Sequence, residues 1–406
     1  MPENKGLLIL SKLQLFVLIS VFTLFSPVFS FANEPVSEHK TEVKADTTAA
    51  HENHEISATE HSAAGHGEQH GEAVEAFNPG KMILDHVKDA HDWHILDYNG
   101  HPVGVPLPII LYDNGLHVFS SAKFEHGHAV VEIKGNFYKL HDGHIYKTDA
   151  AGTIEIGEKK AVMNAKPMDF SITKNVLALF IGAALMLFIF LSVAKAYKTR
   201  GKAAPKGLQS LVEPLIVFLR DEVIKPSVGK HYARFLPLLL SIFFFIFINN
   251  LMGLIPIFPF GANLTGNIAV TMILALIVFV VVNFSGNKHY WKHIFMPDVP
   301  VGLWILLIPI EIIGVVLKPF VLMLRLFANI TAGHIIILGF FSLIFIFGQK
   351  SVGAGLGASV LSVAFTLFMS VLELLVAFLQ AYVFTLLTSL YIGSATEEHH
   401  HAEDHH

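Results

Sequence analysis

Residues 235–287 read FLPLLLSIFFFIFINNLMGLIPIFPFGANLTGNIAVTMILALIVFVVVNFSGN, and no Asp, Glu, Lys or Arg occurs among these 53 residues. An α-helix crosses the apolar part of a bilayer with about 20 residues, so this run is long enough for two membrane spans. Pro256, Pro259 and Gly261 interrupt it and predict a short loop between the two helices. The sequence therefore predicts a polytopic, all-α membrane protein.

Apolar segments on both sides of this run bring the predicted number of spans to about five. One lies between Lys174 and Lys195, and two more occupy about 300–346 and 355–393. Nine Lys or Arg in 195–234 indicate a cytoplasmic segment. An amphipathic pattern in that segment predicts one helix along the membrane surface, with apolar positions at Leu208, Leu211, Val212, Leu215, Ile216, Leu219 and Val223.

Composition excludes several classes of function. Of the 406 residues, 53% are hydrophobic and only 15% are charged, and the net charge of -5 argues against a nucleic-acid-binding protein. Cysteine is absent, which rules out disulfides and thiolate metal sites. No phosphate-binding GxxxxGK[ST] loop occurs, so the chain is not expected to bind and hydrolyse nucleotide by itself. No cofactor or metal is predicted.

The N-terminal part differs from the membrane part, 171–398. Residues 1–32 resemble a signal peptide, with an uncleaved first membrane helix as the alternative. Residues 33–76 are rich in His and Glu and are predicted to be disordered. Short alternating runs with Asp-Gly and Lys-Gly turns predict a small β-rich extracytoplasmic domain at 77–170. Five spans then leave the His- and acid-rich tail, 399–406, in the cytoplasm.

Fifteen His residues lie between positions 39 and 144. They could bind zinc or copper weakly, but a solvated polar segment without fixed geometry is the simpler interpretation. We expect the extension to pack on the outer face of the membrane part, away from any transport route.

Ionisable residues inside the fourth span carry the chemistry. Glu311, Lys318 and Arg325 are seven residues apart and share one side of a helix, with Asn329 close to it. His334 lies about half a turn around from Arg325. A charge at the bilayer centre costs roughly 2.5–3.5 kcal/mol, so such residues usually mark an ion or proton pathway.

The last span carries two matching polar residues, Glu373 and Gln380, again seven positions apart. Their spacing predicts that they face the preceding helix, with Glu373 beside His334 and Gln380 beside Arg325. A metal transporter is the rival hypothesis from another class. It would need several ligands converging inside the bundle, and His334 is the one His within a predicted span.

Four stretches in order resemble subunit a of F-type ATP synthases. The most specific is LRLFANITAGH at 324–334, and the others are 235–256 ending in NNLMGLIP, 310–319 around Glu311 and Lys318, and 379–394 beginning LQAYVF. Together the resemblance covers about 205–398. It implies a stator subunit of the Fo sector that conducts protons past a ring of c subunits, in a bacterial inner membrane.

The resemblance also implies roles for the residues that match. Arg325 would be the essential arginine facing the c-ring, with Gln380 beside it. Asn329, Glu311 and Lys318 would line aqueous half-channels, and His334 and Glu373 would form the proton-handling pair on the outer side. Implied partners are the c-ring, the b subunits of the peripheral stalk and, indirectly, the F1 sector. Coupling to sodium instead of protons remains open.

The chain departs from the family pattern near the outer entrance. Gly253 stands where members often carry Asp, and the loop with Asn263, Thr265 and Asn267 lacks a carboxylate. The outer entrance is therefore expected to be polar but uncharged, unless its acid comes from elsewhere.

Overall fold

The computed structural model describes residues 79–98, 101–157, 161–200, 204–255, 259–297 and 299–397. The predicted signal peptide, the His-rich segment 33–76 and the tail 399–406 lie outside the described residues. The described chain begins with a unit of short strands and continues with long α-helices.

The N-terminal unit consists of helix α1, Pro79–Val87, followed by eight strands. The strands are β1 Asp92–Tyr98, β2 His101–Pro106, β3 Pro108–Tyr112, β4 Leu116–Ser120, β5 Val130–Ile133, β6 Asn136–His141, β7 His144–Thr148 and β8 Met168–Asp169. They pair as three small antiparallel sheets, in the orders β1-β2, β4-β3-β8 and β5-β6-β7. The prediction of a small β-rich region is confirmed.

Tight turns set the register of these hairpins. Lys134 and Gly135 join β5 to β6 with φ of 51° and 82°, and Asp142 and Gly143 join β6 to β7 with φ of 47° and 78°. Consecutive residues with positive φ suit the twist of a two-residue hairpin, and Gly tolerates that conformation best. The Asp-Gly and Lys-Gly dipeptides therefore fulfil the turn role predicted from the sequence.

Eight helices follow: α2 Lys174–Arg200, α3 Leu208–Phe218, α4 Lys225–Val228, α5 Tyr232–Leu254, α6 Ile268–Ser285, α7 Lys288–Phe295, α8 Trp304–Lys350 and α9 Val352–Thr396. Among the described residues, five helical stretches are long and apolar enough to cross a membrane. They begin at Lys174, Leu208, Ile268, Trp304 and Val352, which confirms the predicted number of spans.

The predicted amphipathic helix is present as α3, which continues through a π-helical turn, Leu219–Ile224, into α4. Gly229, with φ of 69°, then breaks the helix before α5 begins. Val212, Leu219 and Val223 of the predicted apolar stripe are buried, whereas Leu211 is exposed. The stripe therefore packs partly against the bundle rather than lying wholly on its surface.

Two groups of contacts identify the two ends of the helical bundle. At one end, Trp93 of β1 packs with Ala178 of α2 and Ala262 of the α5–α6 loop. We call this end the domain side. At the other end, the Asn287 N–H donates to the Ala395 carbonyl at 3.0 Å, which joins the start of α7 to the end of α9.

Close helix packing depends on Gly393 of α9. A Cβ atom at this position would overlap the Ser227 carbonyl oxygen of α4 and approach Val228 Cα to 3.4 Å. The neighbouring atoms are backbone, so they can yield only if the helices separate. Gly357, on the same helix, has open space around its missing side chain.

We predict that Gly393→Ala lowers the thermal unfolding temperature of the detergent-solubilised subunit, because overpacking of this kind costs about 1–3 kcal/mol. Gly357→Ala is the matched control and should be neutral or slightly stabilising, since Ala favours helix more than Gly. Equal unfolding temperatures for the two variants would contradict the close approach of α4 and α9.

Candidate functional site

The site is built on α8, an uninterrupted helix of 47 residues. At about 1.5 Å per residue, Glu311 lies about 21 Å from Arg325 along the helix axis, and His334 lies about 14 Å beyond Arg325. The helix therefore carries ionisable groups across most of the thickness of a bilayer, which is about 30 Å in its apolar part.

The structure brings His334 and Glu373 together between α8 and α9. His334 Nε2 lies 3.8 Å from Glu373 Oε1, and the two side chains are 12% and 4% exposed. No hydrogen bond to another described residue satisfies either carboxylate oxygen of Glu373. A buried carboxylate of this kind depends on its imidazole neighbour, because an isolated ion is costly in an apolar environment.

Gly333 allows the Glu373 carboxyl group to approach α8. A Cβ atom at Gly333 would lie only 2.7 Å from Glu373 Oε1. Gly253 of α5 completes the surroundings on the domain side, since a Cβ there would lie 3.7 Å from His334 Nε2 and 3.3 Å from the Ala262 carbonyl oxygen. Two missing side chains therefore leave room around the pair.

A buried hydrogen-bonded network lies beside the pair. Thr265 Oγ1 donates to Asn250 Oδ1 at 2.5 Å, and Asn250 Nδ2 donates to the Ala377 carbonyl at 3.1 Å, one turn after Glu373. Thr265 belongs to the loop expected at the outer entrance, whereas Asn250 was not predicted as a site residue. The adjacent amides Asn249 and Asn250 in an otherwise apolar run were the signal that could have identified it.

Arg325 is exposed on the surface of α8. Among the residues that the structure describes, it has no ion-pair or hydrogen-bond partner. The predicted neighbour Gln380 is partly buried, and no hydrogen bond joins the two within the described chain. Asn329, one turn further on, is also exposed. The Arg325 charge therefore faces outward from this chain.

The outer surface around this helix pair is apolar. Both helices expose large side chains along most of their length, among them Leu317, Phe320, Val321 and Leu324 on α8 and Val371, Leu374, Leu375 and Leu379 on α9. Exposed apolar surface of this extent belongs against lipid or another apolar chain. Arg325 lies within this apolar surface and has no ion-pair partner among the described residues.

Lys318 and Glu311 lie toward the end of the bundle opposite to the domain side. Lys318 Nζ lies 5.6 Å from the ring centre of Tyr391, within range of a cation–π interaction. Burial raises the pKa of Tyr290 on α7, and the Glu311 carboxylate raises it further. Tyr391 and Tyr290 were not predicted from the sequence as neighbours of these charges.

Metal binding finds no support in the described part of the chain, where no three His, Asp or Glu side chains come together to hold an ion. The His-rich segment 33–76 lies outside the described residues. His334 and its carboxylate neighbour Glu373 are not part of a larger group of this kind within the described residues.

A known protein family matches the helical part of the chain. Residues 176–393, which include all seven predicted site residues, match the model of the ATP synthase A chain family. The chain belongs to the ATP synthase A chain family. It is therefore an integral membrane subunit with a part in ion transport and ATP synthesis, and it is not catalytic by itself.

Relatives in this family cover much of the chain. ATP synthase subunit a of Chloroherpeton thalassium is 41% identical over 270 residues, which is 65% of this chain and 77% of the relative. ATP synthase subunit a 2 of Prosthecochloris aestuarii is 39% identical over 73% of this chain and 92% of its own length. ATP synthase subunit a of an Anaeromyxobacter species is 32% identical over 85% and 76%.

The N-terminal unit has a separate match. Residues 82–170 match a domain of unknown function. The family comparison therefore assigns no activity to the strand-rich part of this chain.

We predict that His334 and Glu373 act as a pair in this ATP synthase subunit. Single Ala substitutions should each impair ATP-driven proton pumping in membrane vesicles, because each leaves one buried ionisable group without its partner. The double exchange, His334→Glu with Glu373→His, keeps one acid and one imidazole and should retain part of the pumping. The worse single variant is the reference. An exchange variant no better than this reference would show that the two groups do not substitute for each other.

Proposed function

We propose that this subunit conducts protons through two offset half-channels and passes them to carboxyl groups on a ring of c subunits. A proton enters from the domain side and neutralises a ring carboxylate. That carboxyl group can then face lipid, so the ring turns. The proton leaves on the opposite side, and the rotation drives ATP synthesis in the F1 sector.

The exposed, unpaired Arg325 carries this proposal. A charge in the apolar part of a bilayer costs roughly 2.5–3.5 kcal/mol, and no described residue of this chain offsets that cost by pairing with Arg325. An ionised carboxylate on the neighbouring ring would be such a partner. Arg325 would hold that carboxylate in its charged form and prevent protons from passing directly between the half-channels.

The entry half-channel would end at His334 and Glu373. Their side chains are mostly buried, and Asn250, which is hydrogen-bonded to Thr265, contacts α9 one turn after Glu373. Groups that can hold or release a proton within a few ångströms of each other suit stepwise proton transfer. Gln380 and Asn329 would complete the surroundings of Arg325.

The exit half-channel would pass Lys318 and Glu311. These charges lie on the same helix as Arg325 but nearer to α7, at the opposite end of the bundle. A separation of about 21 Å between Glu311 and Arg325 along the helix is consistent with two half-channels that each cross part of the membrane.

The environment of the subunit is also part of the proposal. We place it in a bacterial inner membrane, with residues 77–170 in the periplasm, the membrane part 171–398 and a cytoplasmic C-terminus. The b subunits of the peripheral stalk would hold it still against the rotating c-ring. A potential of 100 mV supplies about 2.3 kcal/mol per proton, so several protons are needed for each ATP.

We predict that Arg325→Ala abolishes ATP-driven proton pumping and proton-driven ATP synthesis, and that Arg325→Lys does not restore them. Lys keeps a charge but loses the planar guanidinium with its five N–H donors, and it deprotonates more easily when desolvated. Both activities should be measured in vesicles, per assembled complex. Arg234→Ala, at another exposed arginine, is the matched control and should remain active.

Near-normal pumping by Arg325→Lys would refute the role proposed for the arginine.

The coupling ion is tested in the same vesicles. Pumping that needs added Na⁺ and persists in the presence of a protonophore would indicate sodium coupling, whereas collapse by the protonophore at minimal Na⁺ supports protons.

A further inference from the structure

The N-terminal unit contributes a carboxylate to the first turn of the first membrane helix. Asp89 precedes Asn175 by 86 residues, yet the Asn175 N–H donates to Asp89 Oδ1 at 3.0 Å. Thr173 Oγ1 donates to Asp89 Oδ2 at 2.8 Å, and the Lys174 N–H donates to the Ala90 carbonyl at 2.9 Å. Asp89 therefore caps α2 from a distant part of the chain.

A second contact fixes this arrangement. His91 is buried, and its Nε2 lies 2.7 Å from Asp169 Oδ2, while Asp169 Oδ1 accepts the Ser171 N–H at 2.9 Å. Burial alone would lower the pKa of His91, but the hydrogen bond and charge of Asp169 outweigh burial and raise it. The segments on both sides of the domain are thereby held around Asp89.

Opposing influences act on the Asp89 carboxyl group. Burial raises its pKa, and hydrogen bonds from Asn175 and Thr173 together with the charges of Lys174 and His91 act in the other direction. The raised pKa makes the protonated form more accessible than in a free Asp. By surface area the residue as a whole is only partly buried, which places Asp89 at the boundary between the packed domain and solvent.

Two buried amide side chains, Asn175 of α2 and Asn249 of α5, lie along the face of α2 that begins at Asp89. Asn175 is only 2% exposed, and its Oδ1 has no partner among the described residues. Ala178 and Gly182 follow on the same face, at i+3 and i+7. Ala178 packs with Ala262, and Gly182 lies against the Asn249 side chain, whose buried Oδ1 also lacks a described partner.

From this face of α2, contacts continue through Ala262 and Gly253 to His334 of the His334–Glu373 pair. Asn263, next to Ala262, is buried with its Nδ2 unpartnered in the described chain. The Ala262 carbonyl borders the space at Gly253, which in turn borders His334. Buried polar atoms without protein partners usually bind ordered water, so this succession of amides suits a water-filled path.

We propose that Asp89 is the proton-collecting residue at the outer mouth of the entry half-channel, so that the N-terminal domain supplies part of the transport route; this rests on the transport role proposed above. It replaces our expectation from the sequence that the extension stays away from that route. Asp89 is the carboxylate that is hydrogen-bonded to Asn175 at the domain end of this succession, and the buried amides Asn175, Asn249 and Asn263 follow it.

The chemistry is a proton transfer that leaves Asp89 unchanged after each cycle. The Asp89 carboxylate takes a proton from a hydronium ion in the outside solution, which forms a carboxyl O–H bond and leaves a water molecule. The carboxyl group then gives this proton to a water molecule on the Asn175 side, which becomes hydronium. The carboxylate is regenerated with its two hydrogen bonds from Asn175 and Thr173. The amides orient water and do not themselves carry the charge.

We predict that Asp89→Asn lowers passive proton conduction through F1-stripped vesicles by about tenfold or more, per assembled complex, because removing a positioned acid–base group typically costs that much. The amide of Asn can still accept one hydrogen bond from α2, so assembly should persist. Asp89→Glu should retain part of the conduction. In the Asp89→Asn background, Gly253→Asp should restore part of it by placing a carboxyl group beside His334.

Asp149→Asn is the matched control. Asp149 makes the same two kinds of contact, with the Thr153 N–H at 2.7 Å and the Thr153 hydroxyl at 2.8 Å, but within an exposed turn of the N-terminal unit. Its substitution should leave conduction unchanged. Arg325→Ala, measured alongside for loss of ATP-driven pumping, tests the transport role separately.

Normal conduction by Asp89→Asn, with pumping lost only in Arg325→Ala, would overturn the role of Asp89 and leave the transport role intact. In that case Asp89 is purely a helix cap, and Asp89→Ala should then reduce assembly. Failure of Gly253→Asp to restore any conduction to a fully assembled Asp89→Asn variant would also count against the proposal.

Discussion

The Arg325 guanidinium lies exposed on an apolar helix, with no anionic partner among the residues that the structure describes, and the proposed transport mechanism depends on that arrangement. Arg325 is carried by a 47-residue helix whose neighbours expose Leu, Val and Phe. Under the proposed function, a carboxylate on the neighbouring ring would offset the free energy cost of this charge in a bilayer. The exposed apolar surface of α8 and α9 is suited to the proposed contact with that ring.

Ionisable groups must also be buried near this surface without separating the helices. Glycine residues make this possible, because they have no side chain between the packed helices. Gly333 lets the Glu373 carboxyl group lie against α8, and Gly253 leaves space beside His334. Gly393 plays a related part further along α9, where it allows contact with α4. Small residues thus provide tight helix packing and a polar interior in the same bundle.

Much of the membrane part was predictable, because helical periodicity alone assigns residues to faces. Half a turn separates Arg325 from His334, and the structure exposes the first and packs the second beside Glu373. Periodicity does not give the rotation of one helix against another. The expected Gln380–Arg325 neighbours are therefore not joined by a hydrogen bond, and the contact between Asn250 and Ala377 was not foreseen. The capping of α2 by Asp89 spans 86 residues and has no local signal in the sequence.

The attachment of α2 to a folded domain also fixes the depth at which that helix sits. A membrane helix held only by lipid can slide along its axis to match the local bilayer thickness. Such a shift in α2 would pull Asn175 away from Asp89 and Ala178 away from Trp93. A thinner or thicker membrane must then be accommodated by tilting of the whole bundle or by deformation of the surrounding lipid.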